Sequence, residues 1–500
     1  MADEVQNRFI KNIIFLLFLN LLVKPFWILG IDREVQNMLG DGTYGTYLSI
    51  YVFSYLFYIL LDLGITNFNS RNIAQNPEML SKHFAGISQV KLFLSLLYAA
   101  VVFAVGYGFG YRDGFQLKLL FWCGLNQILL SFILYLRSNI QGLLLFRTDS
   151  FLSVFDRVLA IIIMSVLLWS GWFPRENFNI FWFLEAQTLA YVLTFAVALA
   201  VVLRHIDKLS FKINIPFCLD ILKQSLPFAI LVLLMSFYSR LEPFLLDRLL
   251  DDGGVQSGIY GRAYRLFDAG NNISNLFAVF LLPMFAATIK KNDDLNGLVK
   301  TSFNLIVAMT GVVAIVCMVY SRHIMELMYH AEPGEDMVAF QQRIGQYARI
   351  FPILMGSFFC LSTTYVFGTL LTANGSLKHL NIVAASGVVI NIVLNLIFIP
   401  LFGSVGAACT SLSVQVITAF AQYLIAKRIL KLKLGARYWL HIVLFLGSVA
   451  IATFLIKRIQ MNWLITLIIS LCANFALIFL TRLLSINDIL GLVKSKAEEN

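Results

Sequence analysis

The chain has 500 residues, of which 59% are hydrophobic and only 13% charged, with a mean hydropathy of +0.79; this excludes a soluble globule, a disordered chain, collagen and a secreted disulfide scaffold. The 38 Lys+Arg and 28 Asp+Glu leave a net charge of +10. In so apolar a chain this reads as basic cytoplasmic loops rather than as nucleic-acid binding.

A hydrocarbon core about 30 Å thick takes ~20 apolar residues per helix, and windows of that length predict an all-α polytopic membrane protein with about fourteen spans. They begin near Asn12, Tyr44, Ala85, Leu117, Ser150, Asn179, Ser225, Ser257, Ser302, Gln346, Leu377, Val405, Tyr438 and Trp463. The first run is charged and then apolar, as a signal peptide is. It contains Lys24 and Pro25 and no small-x-small cleavage site, so it is expected to stay as span 1. An even span count puts both termini on one side. If that side is the cytoplasm, it holds about 22 Lys+Arg against about 9 opposite. Two loops carry most of the bias, Arg204 to Lys223 and Lys427 to Arg437, and such clusters also suit anionic membrane lipids.

Span 1 and its exit read Lys24-Pro25-Phe26, Leu39-Gly40-Asp41-Gly42 and Tyr44-Gly45; span 7 and its exit read Glu242-Pro243-Phe244, Asp251-Asp252-Gly253-Gly254 and Tyr260-Gly261. The offset of about 216 residues predicts two halves entering the membrane in the same direction, a two-lobed transporter with its substrate site between lobes. The expected domains are an N-lobe at 1–210 (spans 1–6), a C-lobe at 211–430 (spans 7–12), and two further helices with a cytoplasmic tail at 431–500. Pro25 and Pro243 are candidate hinges, since each removes a backbone donor within a span; a static kink is the alternative.

An ionisable group inside a span is costly unless it faces protein or water, so each one points to a cavity. Lys24, Lys91, Asp156, Arg157, Glu185, Arg240, Glu242, Arg262, Arg265 and Asp268 meet this description. Asp62 and Arg349 fall near span ends, where a side chain reaches the interface. In span 8, Arg262, Arg265, Asp268, Asn272 and Asn275 recur on one helical face. The alternative there is an Arg265–Asp268 pair with asparagines joining helices. In span 2, Tyr44, Tyr47, Tyr51, Tyr55 and Tyr58 share one face. Tyr51 and Tyr55 lie mid-span, where a hydroxyl needs a partner; they read either as a helix seam or as a wall on which sugar rings stack. Forked arginines among these groups suit a phosphate.

No Walker loop, HExxH or metal-ligand spacing occurs, and the six cysteines are scattered as small buried hydrophobes. No metal or cofactor is expected, and the protein reads as a transporter rather than an enzyme. A cation-coupled drug antiporter is one rival, favouring acidic sites; the spans carry about seven Lys+Arg and about five Asp+Glu. A membrane glycosyltransferase or polymerase is another, needing larger extramembrane segments than loops of about twenty residues.

The pattern from Lys24 through Gly30-Ile31-Asp32-Arg33, Leu39-Gly40, Tyr44-Gly45 and Leu60-Leu61-Asp62-Leu63-Gly64-Ile65 to Arg71-Asn72-Ile73-Ala74 resembles bacterial polysaccharide biosynthesis membrane proteins. These are the O-antigen (Wzx-type) flippases of the multidrug/oligosaccharidyl-lipid/polysaccharide exporter superfamily. The resemblance implies paired six-helix bundles plus two helices in the bacterial inner membrane. It implies movement of a lipid-linked oligosaccharide, polyprenyl-diphosphate-linked and destined for lipopolysaccharide, from the cytoplasmic to the periplasmic leaflet by alternating access, with the polysaccharide assembly machinery as partner. Substrate contact is expected from Lys24, Arg157, Arg240, Arg262, Arg265, Tyr51 and Tyr55. Coupling to H+, Na+ or the membrane potential is expected through Glu185, Glu242 and Asp268.

Overall fold

The computed structural model describes residue 20 and residues 22–206, 215–291, 294–331 and 334–484; among them every regular element is helical. The chain forms two compact units, Met1–Gly258 and Ile259–Asn500. The expected lobe boundary at residue 210 lies outside the described residues, as does the proposed start of span 1 at Asn12.

In the first unit, Pro25 is followed at once by a π-helical stretch, α1 (Trp27–Asp32), which leads into α2 (Arg33–Leu56). Proline cannot donate to the ladder, and the register slips just beyond it. Gly40, at φ 70° and ψ 172°, breaks α2 into the end of span 1 and the start of span 2; side chains other than glycine rarely adopt that backbone. Short α3 (Ile59–Asp62) and α4 (Ile65–Gln75) follow. Next come the long apolar helices α5 (Met79–Gly108), α6 (Gly114–Gly142), α7 (Phe146–Trp169) and α8 (Ile180–Leu203). Then α9 (Ile215–Arg240) meets α10 (Glu242–Leu249) at a 53° bend. Pro243 stands in the first turn of α10, where its missing N–H costs nothing. Helix α11 (Gly253–Lys291) runs on through the division between units.

The second unit continues with α12 (Leu295–Val319), α13 (Ser321–Met328), α14 (Met337–Ala373), α15 (Leu377–Ile429), α16 (Ala436–Lys457) and α17 (Trp463–Leu480). Helix α14 packs along α12 and α15. At 1.5 Å per residue the 53 residues of α15 would extend about 80 Å, far beyond one bilayer core. Gly403 (φ 56°, ψ −135°) breaks it at its midpoint into two crossings. Nine helices are individually long and apolar enough to cross a membrane, or up to ten with the bent pair, among the described residues. Counting α15 twice and adding the polar α11 and the two halves of α2 recovers the expected order of spans.

One end of the first unit is held by an apolar cluster that includes Ile65, Ile73, Phe84, Tyr135, Ile140 and Leu152. Beside it lies a pair that corrects the reading of Asp62. Lys91, fully buried, reaches Asp62 at 3.2 Å and donates to the Leu61 carbonyl at 3.0 Å. The carboxylate also accepts from the Thr66 hydroxyl. Asp62 is thus neutralised inside the protein, where the end of α3 needs a donor, instead of reaching out to the interface.

Candidate substrate-binding site

The 3, 4, 4, 3 spacing along span 2 does place five tyrosines on one face. Neighbouring ring centroids are 5.5 Å apart for Tyr44–Tyr47, 6.0 Å for Tyr47–Tyr51, 6.4 Å for Tyr51–Tyr55 and 5.8 Å for Tyr55–Tyr58. The last two pairs are stacked. Tyr44 and Tyr47 are buried, while Tyr51, Tyr55 and Tyr58 are half-buried. The ladder is anchored at its closed end, where the Tyr44 hydroxyl donates to the buried Asp32 at 2.9 Å and Gln36 donates to the other carboxylate oxygen at 3.0 Å. The aromatic surface widens through Phe183, 5.8 Å from Tyr47 and stacked at 5.6 Å on Trp27.

Two of the expected cations lie on this surface. The Arg157 guanidinium sits 5.2 Å from the Trp27 ring and 5.9 Å from Tyr191, with Asp156 at 3.6 Å. Arg240 lies 5.3 Å from the Tyr55 ring. Both side chains are half-buried, and the face of each guanidinium rests on an aromatic quadrupole. Lys24 is half-buried just before α1, and Glu242 is 1% exposed at the α9/α10 bend. Between α2, α6 and α8 lies a polar recess of about 20 Å³, lined by Tyr47, Tyr51, Asn126, Gln127, Gln187 and Tyr191 among others. No sequence pattern had singled out the amides, because the adjacent Asn126 and Gln127 on α6 and the lone Gln187 on α8 leave no helical periodicity. Trp27 and Tyr191 were missed for the same reason.

Glu185 lies away from this recess. It is exposed on the face of α8 that carries Leu189, Val192, Leu193 and Val197, also exposed, while Leu184, Gln187 and Tyr191 face inward. It lies little more than a turn from the start of α8 at Ile180, close enough to a span end for its carboxylate to reach water.

In the second unit, Arg262 is 1% exposed, with its guanidinium 5.0 Å from the Tyr329 ring and 5.5 Å from Tyr347. The Tyr329 hydroxyl donates to the Arg262 carbonyl at 2.8 Å. Arg262 is thus enclosed by the rings of Tyr329, just beyond α13, and Tyr347 of α14. Arg265 and Asp268 are half-buried, on a helix whose Tyr260, Tyr264 and Phe267 form a second, shorter ring stack.

A further network in the first unit ties span 2 to the loop after α5 and to α10. Tyr111 and Ser49 share a hydrogen bond of 3.0 Å, Ser49 donates to Asp247 at 2.9 Å, and Arg248 donates to Asp247 at 2.7 Å and to the Phe109 carbonyl at 3.1 Å. Burial pushes the Tyr111 phenol above its ordinary range, so it stays protonated. Phe53, Phe109, Tyr111 and Phe244 fill the space alongside. Next to it the start of α11 crosses span 2 with no side chain between: a Cβ on Gly45 would lie 1.8 Å from the Gly254 carbonyl oxygen and 2.4 Å from the Gly258 nitrogen.

This architecture occurs in solved transporters. The lipid II flippase MurJ in an inward closed conformation has a TM-score of 0.69 at 14% identity, over 94% of this chain and 98% of that one. An inward-facing multidrug resistance MATE family transporter of the MOP superfamily gives 0.60 at 14% identity, over 81% and 94%. A MOP superfamily transporter from Pyrococcus furiosus gives 0.54 at 14% identity, over 85% and 94%. The chain shares its fold with these transporters. The profile of the polysaccharide biosynthesis protein family matches residues 9–289, and the chain belongs to that family. No curated protein sequence matches it.

Proposed function

We propose that the protein flips a lipid-linked oligosaccharide, O-antigen-like and carried on a polyprenyl diphosphate, from the cytoplasmic to the periplasmic leaflet of the inner membrane by alternating access. The observation that carries this reading is the pairing of cation and aromatic surface in the first unit: Arg157 on Trp27 and Tyr191, and Arg240 on Tyr55 of the tyrosine ladder. A diphosphate takes the forked donors, and sugar rings, with one apolar face and hydroxyl edges, lie along Tyr51 and Tyr55. Lys24, just before α1, adds positive charge. Membership of the polysaccharide biosynthesis family and the likeness of fold to a lipid II flippase support the substrate class. Glu242 and Asp268 are the carboxylates proposed to respond to H+, Na+ or the membrane potential, and the assembly machinery is the proposed recipient of the product.

The test is translocation in proteoliposomes of a fluorescent polyprenyl-diphosphate-linked oligosaccharide, read by dithionite quenching. Arg157→Ala and Arg240→Ala are expected to lower the rate at least tenfold with the protein still inserted. Arg240→Lys should restore part of it as charge without the fork. Full rates in the Arg157→Ala, Arg240→Ala double variant, or efflux of a lipophilic cation drug by a parent that moves no lipid, would refute the reading and favour an antiporter.

A further inference from the structure

The polar recess between α2, α6 and α8 contains three amides with unequal duties. Asn126 is fully engaged: its Nδ2 donates to the Leu184 carbonyl at 3.3 Å, and its Oδ1 accepts from the Thr188 hydroxyl at 2.7 Å, so it joins α6 to α8. Gln127 and Gln187 are 3% and 8% exposed. Buried among these walls, Gln127 Oε1 and Gln187 Nε2 have no hydrogen-bond partner among the described residues. Such atoms are costly to bury, and a pair of them lining one recess marks a place for a group from outside the chain.

The two atoms define what that group is. It must donate to Oε1 and accept from Nε2, so it is a neutral donor–acceptor. A cation cannot accept from the Gln187 amide, and a phosphate oxygen has nothing to donate to Gln127. The recess, at about 20 Å³, exceeds the room one water-sized group requires and is far too small for a whole sugar. Its wall includes Tyr51, the half-buried ring stacked on Tyr55. It also includes Tyr191, which lies under the Arg157 guanidinium. A sugar ring resting on Tyr51 is therefore within reach of the recess by one substituent, with Arg157 on the same side for the diphosphate.

We propose that Gln127 and Gln187 form a subsite that takes one hydroxyl of the glycan, making them the residues that recognise the sugar rather than its lipid diphosphate. This rests on the flippase reading above and deepens it: the cations hold the anionic linkage, and the two glutamines read the carbohydrate next to it. A site built to bond a hydroxyl discriminates against a ligand without one, because both amide atoms then stay buried and unmet.

The test measures equilibrium binding of the full-length protein in nanodiscs to three probes: undecaprenyl diphosphate, and the same lipid carrying a single glucose or a single N-acetylglucosamine. The parent is expected to bind at least one sugar-bearing probe roughly tenfold more tightly than the bare lipid. Gln127→Met and Gln187→Met, matched in size but unable to bond, should each lose that advantage while binding bare undecaprenyl diphosphate as the parent does. If the parent binds the bare lipid but shows no advantage for either sugar, or if both variants keep the advantage, the subsite is overturned and the recess holds structural water only. If the parent fails to bind the bare lipid diphosphate, the flippase reading itself falls. The comparison within the parent needs no variant, so misfolding of a methionine variant does not blunt it.

Discussion

The crossing of span 2 with the start of α11 makes a sharp quantitative prediction for Gly45→Ala. The added Cβ would lie 1.8 Å from one backbone atom and 2.4 Å from another. Neither is the tip of a flexible side chain, so the two helices must part by about 1.5 Å to restore ordinary contact. Overpacking of this kind costs about 1–3 kcal/mol, and at about 1.4 kcal/mol per tenfold this shifts the balance away from the crossed arrangement by roughly 5- to 150-fold. Gly42→Ala is the internal control: its Cβ would meet only Val255 Cγ2, at 3.8 Å. Spin labels at the exposed positions Arg112 and Asp252, read by double electron–electron resonance in nanodiscs, should show a longer distance population in Gly45→Ala and the parent distribution in Gly42→Ala. An unchanged distribution in a folded Gly45→Ala protein, or the same shift in both variants, would refute the reasoning.

Other consequences follow from particular contacts. Lys91→Met leaves Asp62 inside the protein without its cation and should destabilise by about 3 kcal/mol, seen as a lower unfolding temperature in detergent, with Asp62→Asn in the same chain recovering part of the loss. Ser49→Ala and Tyr111→Phe each remove a link in the chain to Asp247 and should cost about 1 kcal/mol apiece; because they share one network, the double variant should cost measurably less than the sum. Glu185→Gln should leave translocation unchanged and stability within about 0.5 kcal/mol, since the side chain faces outward from the first unit; a large loss of transport would return it to the coupling candidates. With both termini in the cytoplasm, a lone cysteine replacing Lys427 should escape an impermeant thiol reagent in intact cells and react once they are permeabilised, and labelling of intact cells would reverse the orientation.

How much was legible in advance depended on whether a feature is local in the chain. The tyrosine ladder was readable because a helix turns spacing into adjacency. The breaks near Pro25, Gly40 and Pro243 were readable because proline and glycine act on their own backbone. Partnerships across the chain were not. Lys91 and Asp62 sit in different helices, and only packing shows that the carboxylate is neutralised from the side. The rings that enclose Arg262, Tyr329 just after α13 and Tyr347 on α14, lie too far along the sequence to be read from span 8 itself. Glu185 and Gln187 are two residues apart and face opposite ways, yet α8 is apolar nearly all round, so no hydrophobic stripe told its inner side from its outer side.

The glycine contact also constrains how this chain can change over time. The segments around Gly45 and Gly258 carry the recurring Gly/Asp and Tyr-Gly pattern of the sequence, and in the structure those segments touch each other backbone to backbone. The contact lies inside the first unit, where span 2 and the start of α11 meet without a side chain between them. Neither segment can gain bulk alone, because its neighbour is main chain and cannot be trimmed. Drift at this crossing is confined to changes that move both backbones together.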